Sequence, residues 1–201
     1  MKNDAQNHRF ILGIAGKPAS GKSEVLGVLA GNGWKTIDAD KVVHDLYREG
    51  EPGQRKIVDF FGEKFLDKKG DVDRRKLRKI VFSDPNKLKI LNKLIRPLVH
   101  SVLLEKIQSF WRSGHGKVAI EAIYFDIDVF GDVLNKVLCV DRSDGDIRNV
   151  LQERGLSEDQ IDVVLGAYVE PFKKDVVIKN NSSLKELEKK VIMAANQFLN
   201  F

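Results

Sequence analysis

Residues 16–23, Gly16-Lys17-Pro18-Ala19-Ser20-Gly21-Lys22-Ser23, set two glycines, a lysine and a hydroxyl at the spacing GxxxxGK[ST], the P-loop fingerprint. Gly16 and Gly21 allow backbone dihedrals closed to other residues and let main-chain N–H groups approach an anion. The helix that follows adds the partial positive charge of its N-terminus. Lys22 can reach the β- and γ-phosphates of a nucleoside triphosphate, and the Ser23 hydroxyl can take one coordination position on Mg2+. With glycine at ordinary usage, the four fixed positions coincide by chance in a chain of this length about once in a hundred. Ala19, Ser20 and Glu24 complete the expected nucleotide-binding set around this loop.

A second group of chemistry-bearing residues is acidic. Asp38 and Asp40 end the segment WKTIDAD (34–40), and Glu121 follows KVAI (117–120). In open α/β sheets ligands sit beyond the carboxyl ends of the strands, which is where these acids fall. Phosphoryl transfer to an alcohol needs a carboxylate to accept the hydroxyl proton. Asp40 also opens a helical pattern, where it is expected to serve as an N-cap, and the two roles are compatible. Glu121 is expected to act through metal-bound water or the acceptor, and Asp38 to be structural. A third group is basic: Arg142, Arg148 and Arg154 lie in a helical stretch that interrupts the strands, where a closing lid would bring an arginine to a transferring phosphoryl group.

The elements that must position these groups alternate. FILGIA (10–15) is an apolar run suited to a buried parallel strand, and SEVLGVLAGNG (23–33) continues as a helix. WKTIDAD reads as a second strand and KVVHDLYREG (41–50) as a helix closed by Gly50. From about 53 to 112 only helical patterns occur, with Pro97 an expected break or kink in the longest of them. Strands resume at KVAIEAIYF (117–125) and NKVLCV (135–140). Two helical patterns follow, joined through a capping-box spacing from Ser157 to Gln160. DVVIKNN (175–181) gives a last strand and SLKELEKKVIMAANQFL (183–199) a closing helix. This alternation predicts an α/β fold with a parallel sheet.

Composition narrows the classes. The 201 residues are 42% hydrophobic, enough for one large domain with a real core. The first eight, MKNDAQNH, lack an apolar signal-like stretch, and no apolar run has membrane-spanning length, so a cytoplasmic location with no membrane partner is expected. Cys139 is the single cysteine and lies in an apolar strand, so it reads as a buried thiol. His8, His44, His100 and His115 lack zinc-ligand spacing, leaving Mg2+ as the one expected metal. The net charge of +5 is spread out, and DRRKLRK (73–79) has no interleaved aromatics, so it reads as a solvated helix face and no nucleic-acid partner is expected. The guanine-specifying NKxD is missing; DVFG (128–131) fits DxxG, which is too short to indicate a GTPase.

Taken in order, GIAGKPASGKSEV, TIDADKVVHDLY, FFGEKFLDKKGDVDRRKLRKIVFSD, LIRPLVH, VAIEA and DVVIKNNSSLKELEKKV resemble the dephospho-CoA kinase family along nearly the whole chain. The IDADxxxHxL segment and the FG…GxxDRxxLxxxVF segment are the most specific pieces. The resemblance implies a single domain with a three-layer, parallel-sheet P-loop kinase core (about 9–40, 113–141 and 169–201). It also implies a helical acceptor-binding insertion (about 41–112) and a lid (about 142–168). It implies that ATP with Mg2+ phosphorylates the ribose 3′-hydroxyl of dephospho-CoA. Asp40 is then the base, Asp40, His44 and Glu121 face the acceptor, Asn180 and Asn181 join the adenine pocket, and Arg148 is the lid arginine. A monomer or weak homo-oligomer is expected. The chain departs from the family at Arg96-Pro97, where His-Pro is usual, at EAIYFD (121–126), and in a lid without the usual glutamine. From the residues alone, another P-loop kinase acting on a nucleoside or nucleotide, and a nucleotide-sensing protein without turnover, stay open.

Overall fold

The computed structural model describes residues 9–122 and 125–199. The polar start MKNDAQNH and the Ile123-Tyr124 pair within EAIYFD, both singled out in the sequence, lie outside the described residues. The chain divides into two compact units, 1–38 with 107–201, and 39–106.

The first unit is built on a five-stranded sheet of β1 (Phe10–Gly16), β2 (Lys35–Asp38), β3 (Lys117–Glu121), β4 (Lys136–Asp141) and β5 (Val176–Lys179), in the order β2-β3-β1-β4-β5 with every pairing parallel. β1 is buried on both faces from Ile11 to Gly16, which explains its unbroken apolar run. One face carries Leu12, Ile14, Ala119, Leu138, Val140 and Ile178 against α1 (Lys22–Gly31) and α9 (Leu184–Leu199), which contribute Val25, Leu29, Leu187 and Val191. On the other face Phe125 and Leu134 press so closely on β1 that a Cβ at Gly13 would meet Leu134 Cδ1 at 2.7 Å. β1 lies between β3 and β4, with the chain departing to opposite sides. Its carboxyl end is therefore the point where the strand order reverses, and a crevice opens there.

α7 (Asp144–Glu153) and α8 (Glu158–Gly166) fold on each other around Ile147, Leu151 and Ile161. The expected capping box is formed: Ser157 Oγ accepts from Gln160 N, and Gln160 Oε1 from Ser157 N at 2.9 Å. A short helix not anticipated from the sequence, α6 (Ile127–Phe130), contains most of the DxxG match and is capped by Asp126. Four apolar-polar residues are too few to display a period.

The second unit holds α2 (Ala39–Leu46), α3 (Pro52–Phe61), α4 (Arg74–Phe82) and the first part of α5 (Pro85–Arg112). Between α3 and α4 a 3-10 turn (Glu63–Phe65) leads into a tight loop closed by the Leu66–Val72 bridge. Asp67 Oδ1 accepts from the backbone of Lys69 and Asp71, and Asp73 caps α4 by accepting from Arg75 and Lys76 N. Backbone N–H donation, Lys76 foremost, holds the Asp73 carboxyl below its ordinary range. Tyr47 is buried, which pushes its phenol up to about 12 against the opposing pull of the Arg74 guanidinium. Of the break or kink expected at Pro97, the break does not occur: α5 runs through it as one 28-residue helix. Proline removes one donor and leaves the Lys93 carbonyl without its helical partner, and the apolar anchors Ile95, Val99, Leu103 and Ile107 hold the flanking turns.

β5 is fixed at its start by Asp175. Its backbone N–H donates to Val137 O at 2.9 Å, and its Oδ2 accepts from Val137 N at 2.8 Å. Lys136 and Lys173 flank the carboxylate at 3.1 and 3.4 Å. Burial pushes the Asp175 carboxyl up, but the Val137 and Lys136 hydrogen bonds outweigh it and the net direction is down. A depressed carboxyl contributes stability above its unfolded value near ~3.9 and loses it as pH falls through the folded value. Asp175→Asn keeps an acceptor and removes the charge. It should therefore lower unfolding free energy by on the order of 1 kcal/mol near pH 7 in urea melts, with the gap closing as pH falls through the depressed carboxyl of the folded state. A gap that persists unchanged in acid would show that the charge is not what matters.

Candidate phosphate-binding site

The P-loop leaves the carboxyl end of β1 through Gly16, whose partner across the ladder is Val140. Gly16 has φ 147°, and a Cβ there would lie 2.4 Å from Val140 O and 2.7 Å from Ser20 Oγ, so no other residue fits. The turn closes through Ser20 N donating to Lys17 O, and Ala19 takes a left-handed φ of 60°, an uncommon conformation for a residue with a side chain. Gly21, at φ 104°, is the N-cap of α1 and offers no side chain to the helix. The first helical bond is Val25 N to Gly21 O, so helix geometry leaves the amides of Gly21 to Glu24 as its four terminal donors. This arrangement suits a polyphosphate.

Lys22 is buried, and its ammonium donates to Gly16 O and Lys17 O, both at 3.1 Å. The lysine thus crosses its own loop with its charge at the centre. Ser23 is exposed at the helix start and its hydroxyl donates to Glu121 Oε1 at 3.4 Å. Glu121 ends β3 and stands in register with Ile14 on one side and Asp38 on the other. The structure therefore brings together Gly16, Lys22, Ser23 and Glu121 at the end of β1. Ser20 is fully buried, and its Oγ has no hydrogen-bond partner. Glu24 is exposed in the first turn, where a carboxylate favours the helix N-terminus.

Asn180 braces the loop from the far end of the chain. Its Nδ2 donates to Ser20 O at 2.9 Å, and its backbone N–H donates to Asp141 O at 2.7 Å, extending the β4–β5 ladder by one bond. A Cβ on Gly21 would fall 2.2 Å from that Nδ2, a second reason for glycine there. Asn181 is exposed.

The three arginines between residues 142 and 154 separate. Arg148 forks between Glu158, 2.7 Å away, and Asp162, joining α7 to α8; the Asp162 carboxylate holds its guanidinium in the charged form above its ordinary range. Arg154 is exposed at the end of α7. Arg142, one residue past β4, reaches the loop instead, with NH1 3.5 Å from Ala19 O. Lys17 also contacts this region, pairing with Asp144 at 2.6 Å. Lys17, Asp144 and the loop-bracing use of Asn180 were not identified from sequence, because each contact spans more than 120 residues and has no local periodic or capping signal.

In the helical unit, Asp40 is part-buried in the first turn of α2, which begins at Ala39. It is inside the helix, two positions past Asp38, the residue that precedes the helix, so it does not occupy the N-cap position expected of it, because Ala39 already has helical geometry. His44 lies on the same helix, with Nδ1 3.9 Å from Asp45 Oδ1. Among the described residues no cluster of three or more His, Cys, Asp or Glu side chains forms a metal-holding group, and no helix is long and apolar enough to cross a membrane. Cys139 is buried, and burial raises its thiol pKa, as suits a packing residue.

Lys22→Ala should leave the fold intact and abolish measurable phosphoryl transfer, since no other ammonium is held inside the loop. Nucleotide titration and turnover of the same preparation check this, and wild-type turnover would remove the loop from the reaction.

Comparison with known proteins bears on the same residues. The dephospho-CoA kinase family (CoaE) matches residues 10–186. A dephospho-CoA kinase of Fusobacterium nucleatum is 37% identical over 193 residues, covering 90% of this chain and 95% of its own. One from Arabidopsis thaliana is 36% identical, covering 88% of this chain and 78% of its own. Among solved structures, a Thermus thermophilus protein superposes with TM-score 0.76 at 26% identity, over 95% of this chain and 98% of its own. A dephospho-CoA kinase from Campylobacter jejuni shares the fold at TM-score 0.65 and 23% identity, over 94% and 97%. The P-loop, the strand-end acids and the helical unit all fall inside the matched span, and the chain belongs to the dephospho-CoA kinase family.

Proposed function

We propose that this protein transfers the γ-phosphoryl group of ATP to the 3′-hydroxyl of dephospho-CoA, giving CoA and ADP. The observation that carries the reading is a family match running from the P-loop strand through the whole helical unit to the Asn180 brace. The backbone donors from Gly21 to Glu24 hold the phosphates, and Lys22 supplies charge at the group being transferred. Mg2+ suits the donor set: the Ser23 hydroxyl and Glu121 carboxylate are hard oxygen ligands 3.4 Å apart. When bound, the ion neutralises phosphate charge.

Asp40 is the proposed base. It follows the last residue of β2 by two positions, a place from which a carboxylate can hold an attacking hydroxyl and take its proton. The unit 39–106 is the proposed acceptor platform, with His44 and the basic helix α4 as its polar contributions, and α7 with α8 the proposed lid. The same reading has the enzyme working in the cytoplasm on small molecules, as a monomer or weak homo-oligomer.

ADP release from ATP, measured with and without dephospho-CoA, tests the reading directly; a nucleoside or nucleotide accepted in preference would overturn it. Asp40→Asn should cut kcat by about 100-fold or more, because an amide cannot accept the proton. ATP affinity should be retained. The melting curve should move little, since a first-turn carboxylate contributes roughly 0.3–1 kcal/mol. Turnover within a few-fold of wild type would assign the base elsewhere.

A further inference from the structure

Arg142 follows β4 directly and, among the described residues, has no carboxylate within ion-pairing distance. Among the described residues its one hydrogen bond is NH1 to Ala19 O at 3.5 Å, the outer limit of such a bond. Nε is buried with no hydrogen-bond partner. A guanidinium has five donors in a fixed fork, so most of them are unused here. The neighbouring cations are occupied: Lys17 is paired with Asp144, Arg148 with Glu158 and Asp162, and Lys22 with two carbonyls of its own loop.

The peptide that Arg142 touches matters as much as its free donors. Ala19 immediately precedes Ser20 and Gly21, which lead into the terminal amides of α1, and its left-handed φ turns the chain into them. The Ala19 side chain also packs on the Ile147–Leu151–Ile161 cluster of α7 and α8. Arg142 therefore stands where the phosphate loop meets the helical pair, held weakly to a neutral carbonyl. A polyphosphate is a far stronger partner, since charge-assisted bonds to its oxygens are roughly twice as strong as neutral ones.

We infer that Arg142 is a further nucleotide-contacting residue of this enzyme, its guanidinium exchanging the Ala19 carbonyl for a phosphate oxygen when a nucleoside triphosphate enters the loop. This rests on the P-loop binding a nucleoside triphosphate as proposed above, and it is independent of which acceptor is used. The exchange breaks no covalent bond. Arg148, the arginine selected by resemblance, has its fork filled by two carboxylates, so the group with donors to offer is the one beside the loop.

The test is equilibrium binding of ATP and of inorganic triphosphate to wild type, Arg142→Ala and Arg142→Lys, with no acceptor present. Loss of one charge-assisted contact should weaken both ligands by roughly tenfold to a hundredfold in the alanine variant. The lysine variant should recover part of the affinity, and millimolar guanidinium should restore binding to the alanine variant. Wild-type affinity should fall more steeply with salt than that of the alanine variant. A residue that only supports the loop would give none of the salt difference or guanidinium rescue. Affinity within two-fold of wild type in Arg142→Ala overturns the assignment, as does a loss that guanidinium cannot restore in a variant with an unchanged melting curve. If the alanine variant does not fold, Arg142→Lys with wild-type affinity and salt dependence overturns it. Failure of wild type to bind either ligand would instead refute the P-loop reading itself.

Discussion

The approach of Gly16 to Val140 governs the site. With 2.4 Å between a hypothetical Cβ and a backbone oxygen, β1 can lie beside β4 at this height only through a residue without a side chain. That contact sets where the chain turns away from the sheet, and so where α1 begins and where its amides point. The neighbouring oxygen is a main-chain carbonyl fixed in a parallel ladder, so it cannot move aside as a side-chain tip would. Every other feature of the loop, from the Lys17–Ser20 turn to the lysine crossing beneath it, is built from this point.

The contacts that hold the loop differ greatly in strength. Lys17 and Asp144 form a short ion pair, but both are substantially exposed, and pairs of that kind contribute at most about 1 kcal/mol once solvent screens them. The bonds within the loop and from Asn180 engage backbone carbonyls in buried or part-buried settings, where leaving such a group unsatisfied costs more than the bond itself contributes. Rigidity at the phosphate site therefore comes chiefly from local backbone geometry and one distant amide. The ion pair can open and close at small cost, as an element that admits a ligand must.

Much of this was legible in the chain. The five strands appear where the sequence places them, the central β1, β3 and β4 as apolar runs because they are covered on both faces, and the P-loop spacing is fixed by phosphate geometry. The capping box at Ser157 was readable for the same local reason. Pro97 does not break α5, because burial of the residues around it outweighs one lost helical bond. The helical start at Ala39, one residue before the expected cap, reflects how little sequence alone fixes a helix boundary. Which arginine meets the loop was not legible at all. Arg142, Arg148 and Arg154 share composition and neighbourhood, and only the fold shows that Glu158 and Asp162 lie one turn apart on α8 and engage the second of them.

The Asn180 brace has a consequence for how the protein matures. Its bond to Ser20 closes a span of 160 residues, and it directly follows β5, the fifth strand of the sheet to be made. During vectorial synthesis β1 and α1 emerge before β5, and the carbonyl of Ser20 and the space left by Gly21 await Asn180. A nascent polypeptide stalled before that residue would carry the complete phosphate-loop sequence without its brace. The enzyme thus acquires its finished phosphate loop only once all five strands of the sheet have been made, a delay inherent in a sheet whose first strand is central and whose fifth lies at the edge.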